Sequence, residues 1–176
     1  LDKARPAASL DLLYDDMLRL GTIFGKEAEA QALVDGWKAR MTELSARLGE
    51  TRDMKVFLYD SGEDKPFTAG RFAMPTAMIE AAGGRNVTAD METSWGTTSW
   101  EAVAAADPQF IILLDYQDGG GADKLRAFLE AHPVMSQTEA VKNARYLPLR
   151  YEELTPGPAN VDGIEQLARA MHPQAF

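Results

Sequence analysis

The chain has 176 residues, is 45% hydrophobic and 26% charged, and carries a formal net charge of -9 at neutral pH. This length suits one domain with a sizeable core, and the acidic balance argues against a general binder of nucleic acid or anionic membranes, which usually needs a basic surface. The sequence has no cysteine and only His132 and His172 as histidines, which excludes disulfides, thiol nucleophiles and cysteine- or histidine-rich metal sites.

Two helices are predicted before residue 50. Apolar residues from Leu10 to Leu18 recur at helical spacing and predict a helix over 9–20, with Gly21 and Gly25 available as stops. A second apolar stripe predicts a helix over 27–48, roughly 33 Å long at 1.5 Å per residue.

The rest of the chain alternates short apolar runs with helical patterns. Strands are predicted over 55–59, 110–114 and 145–149, and helices over 75–83, over 122–131 and along the stripe from Ile164 to Met171. Strands separated by helices pair in parallel through right-handed crossovers. The predicted fold is therefore an α/β sheet, parallel or mostly parallel, with helices on both faces.

Ligands of such sheets bind at the carboxyl ends of the strands. The residues that follow the three predicted strands there are Tyr59, Asp60 and Ser61, then Asp115 and Tyr116, then Arg150, Tyr151 and Glu152. Aromatic faces and guanidinium groups at one edge suit a large, conjugated or anionic ligand.

No catalytic site is predicted. Gly119, Gly120 and Gly121 lack the Lys-Ser/Thr of a phosphate-binding loop, and no Ser-His-Asp order with a nucleophile elbow is present. The acidic residues are not paired by spacing for acid–base work.

A series of motifs carries a family resemblance. In chain order they are Phe67-Thr68-Ala69-Gly70, Ala81-Ala82-Gly83-Gly84, Ser99-Trp100-Glu101, Ala106-Asp107-Pro108 and a His172-Pro173-x-x-Phe176 finish. This order resembles the second lobe of the substrate-binding proteins that deliver ferric siderophores, haem or cobalamin to ABC importers. The resemblance implies linker helices over 1–50, with the long inter-lobe helix at 27–48, and a C-terminal α/β ligand-binding lobe over 51–176. It implies that the N-terminal lobe is absent from this chain.

The resemblance also implies a function. The protein would capture a metal chelate, a ferric siderophore in the first place and haem or cobalamin otherwise, and deliver it to a permease in the inner membrane. It would act in the periplasm, or at the cell surface as a lipoprotein, with no resident cofactor and no enzymatic activity.

Six residues are implied to serve that function. Tyr59, Arg71, Trp95, Tyr116 and Tyr151 would contact the ligand, and Glu101 would form a salt bridge with an arginine of the permease. Three of them also have a purely structural interpretation. Arg71 would then be a solvated surface residue, Trp95 would fold back to close the lobe, and Glu101 would complete a capping box with Thr98.

Other interpretations stay open. The same architecture serves chelatase-like or metallocluster enzymes, although these commonly use cysteine or well-placed histidine, and it also serves extracytoplasmic ligand sensors. If a first lobe normally covers the two leading helices, we expect an exposed apolar patch on them and self-association of this chain.

Overall fold

The computed structural model describes residues 7–49, 53–117 and 121–176. The strands are β1 (Met54–Tyr59), β2 (Phe67–Ala69), β3 (Gly84–Asn86), β4 (Trp95–Thr97), β5 (Phe110–Asp115) and β6 (Tyr146–Arg150). The helices are α1 (Leu10–Phe24), α2 (Glu27–Leu48), α3 (Met74–Ala81), α4 (Trp100–Ala106), α5 (Gly121–Ala131), α6 (Glu139–Lys142), α7 (Tyr151–Leu154) and α8 (Asn160–Met171). Short 3₁₀ turns occupy Met135–Gln137 and Pro173–Ala175.

Four strands form a parallel sheet in the order β3-β1-β5-β6. This confirms the predicted α/β fold, and the three predicted strands lie within one residue of β1, β5 and β6. The sequence did not predict β2, β3 and β4, because each has only three residues and shows no readable alternation. Of these, β2 and β4 pair antiparallel as a separate ribbon.

The central strands are apolar on both faces because helices cover both faces. On β1, Val56 and Leu58 enter one core, which α1, α2, α3 and α8 close. Phe57 and Tyr59 enter a second core, which α4, α5 and α6 close. Residues of β5 alternate in the same way, which explains its continuous apolar run.

The helices α1 and α2 form a hairpin at the start of the described chain. The predicted stop at Gly21 is wrong, because α1 continues to Phe24 and ends at Gly25 in the left-handed conformation. Gly21 is instead the point where α2 crosses, since a Cβ there would lie 2.5 Å from the Cβ of Ala30. The bounds predicted for the long helix are those observed.

Arg40 joins the long helix to the sheet domain. Its guanidinium lies 2.8 Å from Glu165 and 2.5 Å from Asp162, both on α8. Hydrogen bonding to Arg40 also lowers the pKa of the Glu165 carboxyl. The contact holds α2 against α8 at a point remote from the turn between α1 and α2.

Large apolar side chains remain exposed on the hairpin, in agreement with the expectation from the sequence. They are Leu20, Ile23, Phe24 and Leu33, and both Ile23 and Phe24 are 72% exposed.

Candidate functional site

The carboxyl ends of β1, β5 and β6 lie side by side at one edge of the sheet. Tyr59 pairs with Leu113, and Asp115 pairs with Arg150, so the three chain segments that leave these strands start together. This edge is where open parallel sheets bind their ligands. The structure therefore brings together the regions after the strands that the sequence selected.

Two of the predicted contacts, Tyr116 and Tyr151, form one aromatic pair at this edge. Their ring centroids are 5.4 Å apart with an interplanar angle of 27°. The hydroxyl of Tyr116 donates a 3.0 Å hydrogen bond to Asp60, which is 6% exposed. Tyr116 is 47% exposed and Tyr151 is 50% exposed, so the pair is an accessible platform that the sheet holds in place.

Trp95 lies on β4, half-buried against the core. Its indole stacks on Phe67, with centroids 5.9 Å apart and planes at 19°. It also lines a cavity of about 570 Å³ between α1, the loop around Phe72 and the loop 156–158. Trp95 thus combines a packing role with a surface that a ligand can reach.

Gly70 shapes this part of the site. A Cβ at Gly70 would lie 2.5 Å from the carbonyl oxygen of Thr93 and 2.9 Å from that of Met91. Its amide donates to the carbonyl oxygen of Ser94 at 2.8 Å. Only glycine allows the chain before Phe72 to pass this close to the segment that carries Trp95.

Tyr59 is the least accessible of the predicted contacts: it ends β1 and lines a pocket of about 540 Å³ with Asp60 and Tyr116, and its role as a ligand contact stays a prediction. It is 1% exposed, and its ring packs against Trp100 and Phe128 at centroid distances of 5.1 and 6.0 Å. Its hydroxyl donates to a backbone carbonyl of the following loop at 3.3 Å. Burial, with the nearby carboxylates of Glu63 and Asp60, raises the pKa of this phenol to about 12. The alternation of β1 places it in the core.

Arg71 does not line the cavity of Trp95. Its side chain is exposed and lines a pocket of about 360 Å³ together with Thr76, Glu80 and Ala89. Within the described residues it makes no ion pair. Ala8 lines both this pocket and the Trp95 cavity, so the two pockets are neighbours.

Glu101 is exposed in the first turn of α4. The predicted capping box with Thr98 is wrong, because Ser99 is the N-cap and its hydroxyl accepts a 3.1 Å hydrogen bond from the amide of Ala102. Crossover helices run back from the carboxyl edge, so the start of α4 lies at the ligand edge. Among the described residues no hydrogen bond or ion pair engages the Glu101 carboxylate, which leaves it accessible to a partner.

A buried polar network, which the sequence did not predict, supports the site from below. The amide of Asn86 donates to the carbonyl oxygen of Ala69 at 2.9 Å and to the hydroxyl of Thr76 at 2.8 Å. Its oxygen accepts from the hydroxyl of Thr88 at 2.9 Å and from the Thr88 amide at 3.1 Å. A polar residue directly before Val87 was the only signal in the sequence.

The loop 156–158, which borders the cavity, is held by Asn160. Its side chain donates to the carbonyl oxygens of Glu153 and Thr155 at 2.9 and 2.8 Å and accepts from the amide of Gly157 at 2.8 Å. These bonds give the loop a defined position at the cavity wall.

Among the described residues there is no cluster of three or more His, Cys, Asp or Glu side chains that could hold a metal ion. None of the described helices combines the length and the hydropathy that crossing a bilayer requires.

Comparison with known proteins gives the class of this fold. The sequence profile of the periplasmic binding protein family matches residues 2–149. The chain belongs to this family.

Individual relatives agree with that assignment. An uncharacterised ABC transporter substrate-binding lipoprotein of Bacillus subtilis is 24% identical over 174 residues, which are 97% of this chain and 53% of the relative. A cobalamin-binding protein of Halobacterium salinarum is 27% identical over 175 residues, 96% of this chain and 46% of the relative. The crystal structure of a periplasmic binding protein of Veillonella parvula superimposes with a TM-score of 0.89 at 29% identity, over 94% of this chain and 58% of that one. The chain thus spans about half the length of the curated relatives it matches.

Proposed function

We propose that this chain is one lobe of the substrate-binding component of an ABC importer and acts without catalysis outside the cytoplasm, in the periplasm or as a surface lipoprotein. The carboxyl edge of its sheet would be one wall of a ligand cleft, and a second lobe would supply the other. The observation that carries this proposal is the accessible aromatic surface at that edge of a family fold: the Tyr116–Tyr151 pair and the cavity under Trp95.

The proposed ligand is a metal chelate with a large organic surface. A ferric siderophore is our first candidate, and haem and cobalamin are the others. Aromatic side chains bury large flat surfaces at a small entropic cost, which suits all three. The matched cobalamin-binding protein of Halobacterium salinarum supports the inclusion of cobalamin in this set.

Glu101 is the proposed docking group. Its carboxylate lies at the same edge as the ligand surface, so a permease that receives the ligand from the cleft could contact it at the same time. An exposed charge of this kind affects association and orientation more than affinity.

Intrinsic fluorescence tests the proposal. A longer form that includes the second lobe would be titrated with ferric siderophores, haem and cobalamin. We expect saturable quenching with one class, with affinity reduced at least tenfold in Trp95→Ala and unchanged in the control Phe176→Ala, which alters an aromatic ring on the distant α8 side. A folded protein that responds to no member of the panel would overturn chelate capture.

A further inference from the structure

The Tyr116–Tyr151 pair has an electrostatic environment that restricts what can bind on it. Asp60 accepts the Tyr116 hydroxyl, and Asp115 lies one residue before that tyrosine. Glu152 follows Tyr151 and is exposed. One carboxylate therefore contacts the pair directly, and two more belong to chain neighbours of the tyrosines.

The cation nearest to the pair in sequence, Arg150, is engaged by two carboxylates. Its guanidinium lies 3.1 Å from Glu152 and 3.3 Å from Glu153. Glu153 is 4% exposed and also accepts the Arg150 amide at 2.8 Å, which fixes the arginine at its own helix start. Hydrogen bonding to Glu153 raises the pKa of Arg150, in keeping with a cation that is held by its neighbours.

Two further cations lie near this edge. Lys124 lines a pocket on the α5 side that includes Tyr116, but two carboxylates, those of Asp60 and Glu63, belong to the same pocket. Arg71 lies in the pocket of Glu80. Neither pocket includes Tyr151 among its walls.

The face of a tyrosine ring carries negative charge density, and nearby carboxylates add to it. A flat cation gains from both, whereas a polyanion meets net repulsion, because carboxylates outnumber cations around the pair: Asp60 and Glu63 against Lys124, and Glu152 and Glu153 against Arg150. An anionic ligand, which the sequence alone allowed, is therefore disfavoured at this position.

We infer that the Tyr116–Tyr151 pair is a stacking subsite for a flat ligand face with positive or no net charge, and that it discriminates against polyanionic ligands. The inference rests on the proposed capture of a chelate and adds the charge class that this lobe accepts.

Two metal-free porphyrins provide a matched test, because they share a macrocycle and differ in peripheral charge. The tetracationic tetrakis(N-methylpyridinium)porphyrin and the tetraanionic tetrakis(4-sulfonatophenyl)porphyrin would each be titrated with the 176-residue chain while the visible absorption band is followed. We expect the cationic probe to bind at least tenfold more tightly than the anionic one.

Variants separate stacking from bulk charge. Tyr151→Ala should weaken binding of the cationic probe by roughly tenfold, in line with the energy of one stacked aromatic ring. Two controls should keep the parent affinity: Tyr151→Phe, which keeps the ring, and Phe24→Ala, which removes an exposed ring elsewhere. Glu152→Gln should lower the affinity for the cationic probe more than Glu43→Gln does, although both variants remove one negative charge.

Two results would overturn the inference: equal or tighter binding of the anionic porphyrin, or equal affinities of Tyr151→Ala and Phe24→Ala for the cationic one. The inference is also overturned if the chain binds neither porphyrin. If the chelate panel is still captured in a Trp95-dependent manner, the proposed function stands and only this subsite falls. If the panel fails while the cationic porphyrin binds through Tyr151, chelate capture falls and the charge preference stands.

Discussion

The indole Nε1 of Trp100 donates a 2.8 Å hydrogen bond to the backbone carbonyl of Glu63. Trp100 begins the helix that presents Glu101, and Glu63 lies in the loop that follows β1 at the ligand edge. The bond therefore ties the proposed docking helix to the rim of the proposed cleft. Trp100 itself is 4% exposed in the second core, which makes this connection rigid.

Trp100→Phe should release the loop without unfolding the lobe. The variant keeps an aromatic ring in the core but loses the bond to Glu63, so we expect about 1–2 kcal/mol less stability towards urea. Hydrogen exchange of the amides in 61–65 should accelerate more than exchange in β5. Equal protection of that loop in both proteins would show that the bond does not order it.

Glu101→Gln should separate docking from ligand capture. The side chain is exposed, so we expect the stability and the ligand affinity of the two-lobed protein to stay unchanged. Stimulation of the permease ATPase in vesicles should fall several-fold, because a charge at the contact is lost. Glu43→Gln, on the outer face of α2, is the control that should retain full stimulation. The docking role is refuted by equal stimulation with both variants.

Asn86→Ala should destabilise the lobe by about 2–3 kcal/mol, since it leaves buried partners at Thr76, Thr88 and Ala69 without hydrogen bonds. Denaturant unfolding measures this change. Asn143→Ala is the matched control, because Asn143 is exposed and makes a single bond to a helix carbonyl at 2.9 Å, and it should change stability by no more than about 0.5 kcal/mol. Similar losses in the two variants would contradict a supporting role for the buried network.

Glu153 should make stability depend on pH in the acid range. Burial opposes its ionisation, but bonds from the Arg150 amide, Gln166 and the Arg150 guanidinium hold the pKa of Glu153 below its ordinary value of 4.5. A lowered pKa in the folded state contributes stability that is fully present above 4.5 and is lost as the pH falls through the lowered value.

Glu153→Gln should therefore cost about 1–3 kcal/mol at neutral pH and flatten the loss of stability below pH 4.5. Thermal unfolding between neutral and acid pH measures both effects. Glu152→Gln, at the exposed neighbouring residue, is the control, and its loss of stability with falling pH should match that of the parent. An unchanged slope in Glu153→Gln would assign the acid sensitivity to other carboxylates.

The exposed apolar residues of the α1–α2 hairpin should cause self-association of the 176-residue chain. Replacement of Ile23 and Phe24 by serine should shift light scattering at high concentration towards the monomer. Phe176→Ser removes an exposed ring that packs on Arg169 at 4.6 Å and on Arg47 at the opposite end of α2 from Ile23 and Phe24, and should leave association unchanged. A parent chain that is already monomeric at high concentration would exclude this surface as an interface.

The sequence by itself determined the class of the fold, because long apolar periodicities report which faces of helices and strands are buried. The parallel sheet, the bounds of the long helix and the strands before Tyr59, Asp115 and Arg150 all follow from that pattern. The choice of the carboxyl edge as the candidate site also follows, since topology alone selects it.

Only the tertiary structure decided which side chains at that edge face outward and which partners hold them. Tyr59 and Tyr116 both adjoin a strand end, yet strand alternation buries the first and the bond to Asp60 helps present the second. Arg150 has the residue type of an anion contact, but Glu152 and Glu153 already bind it. Such outcomes depend on contacts between segments distant in sequence or on local rotamers, and neither leaves a periodic signal in the chain.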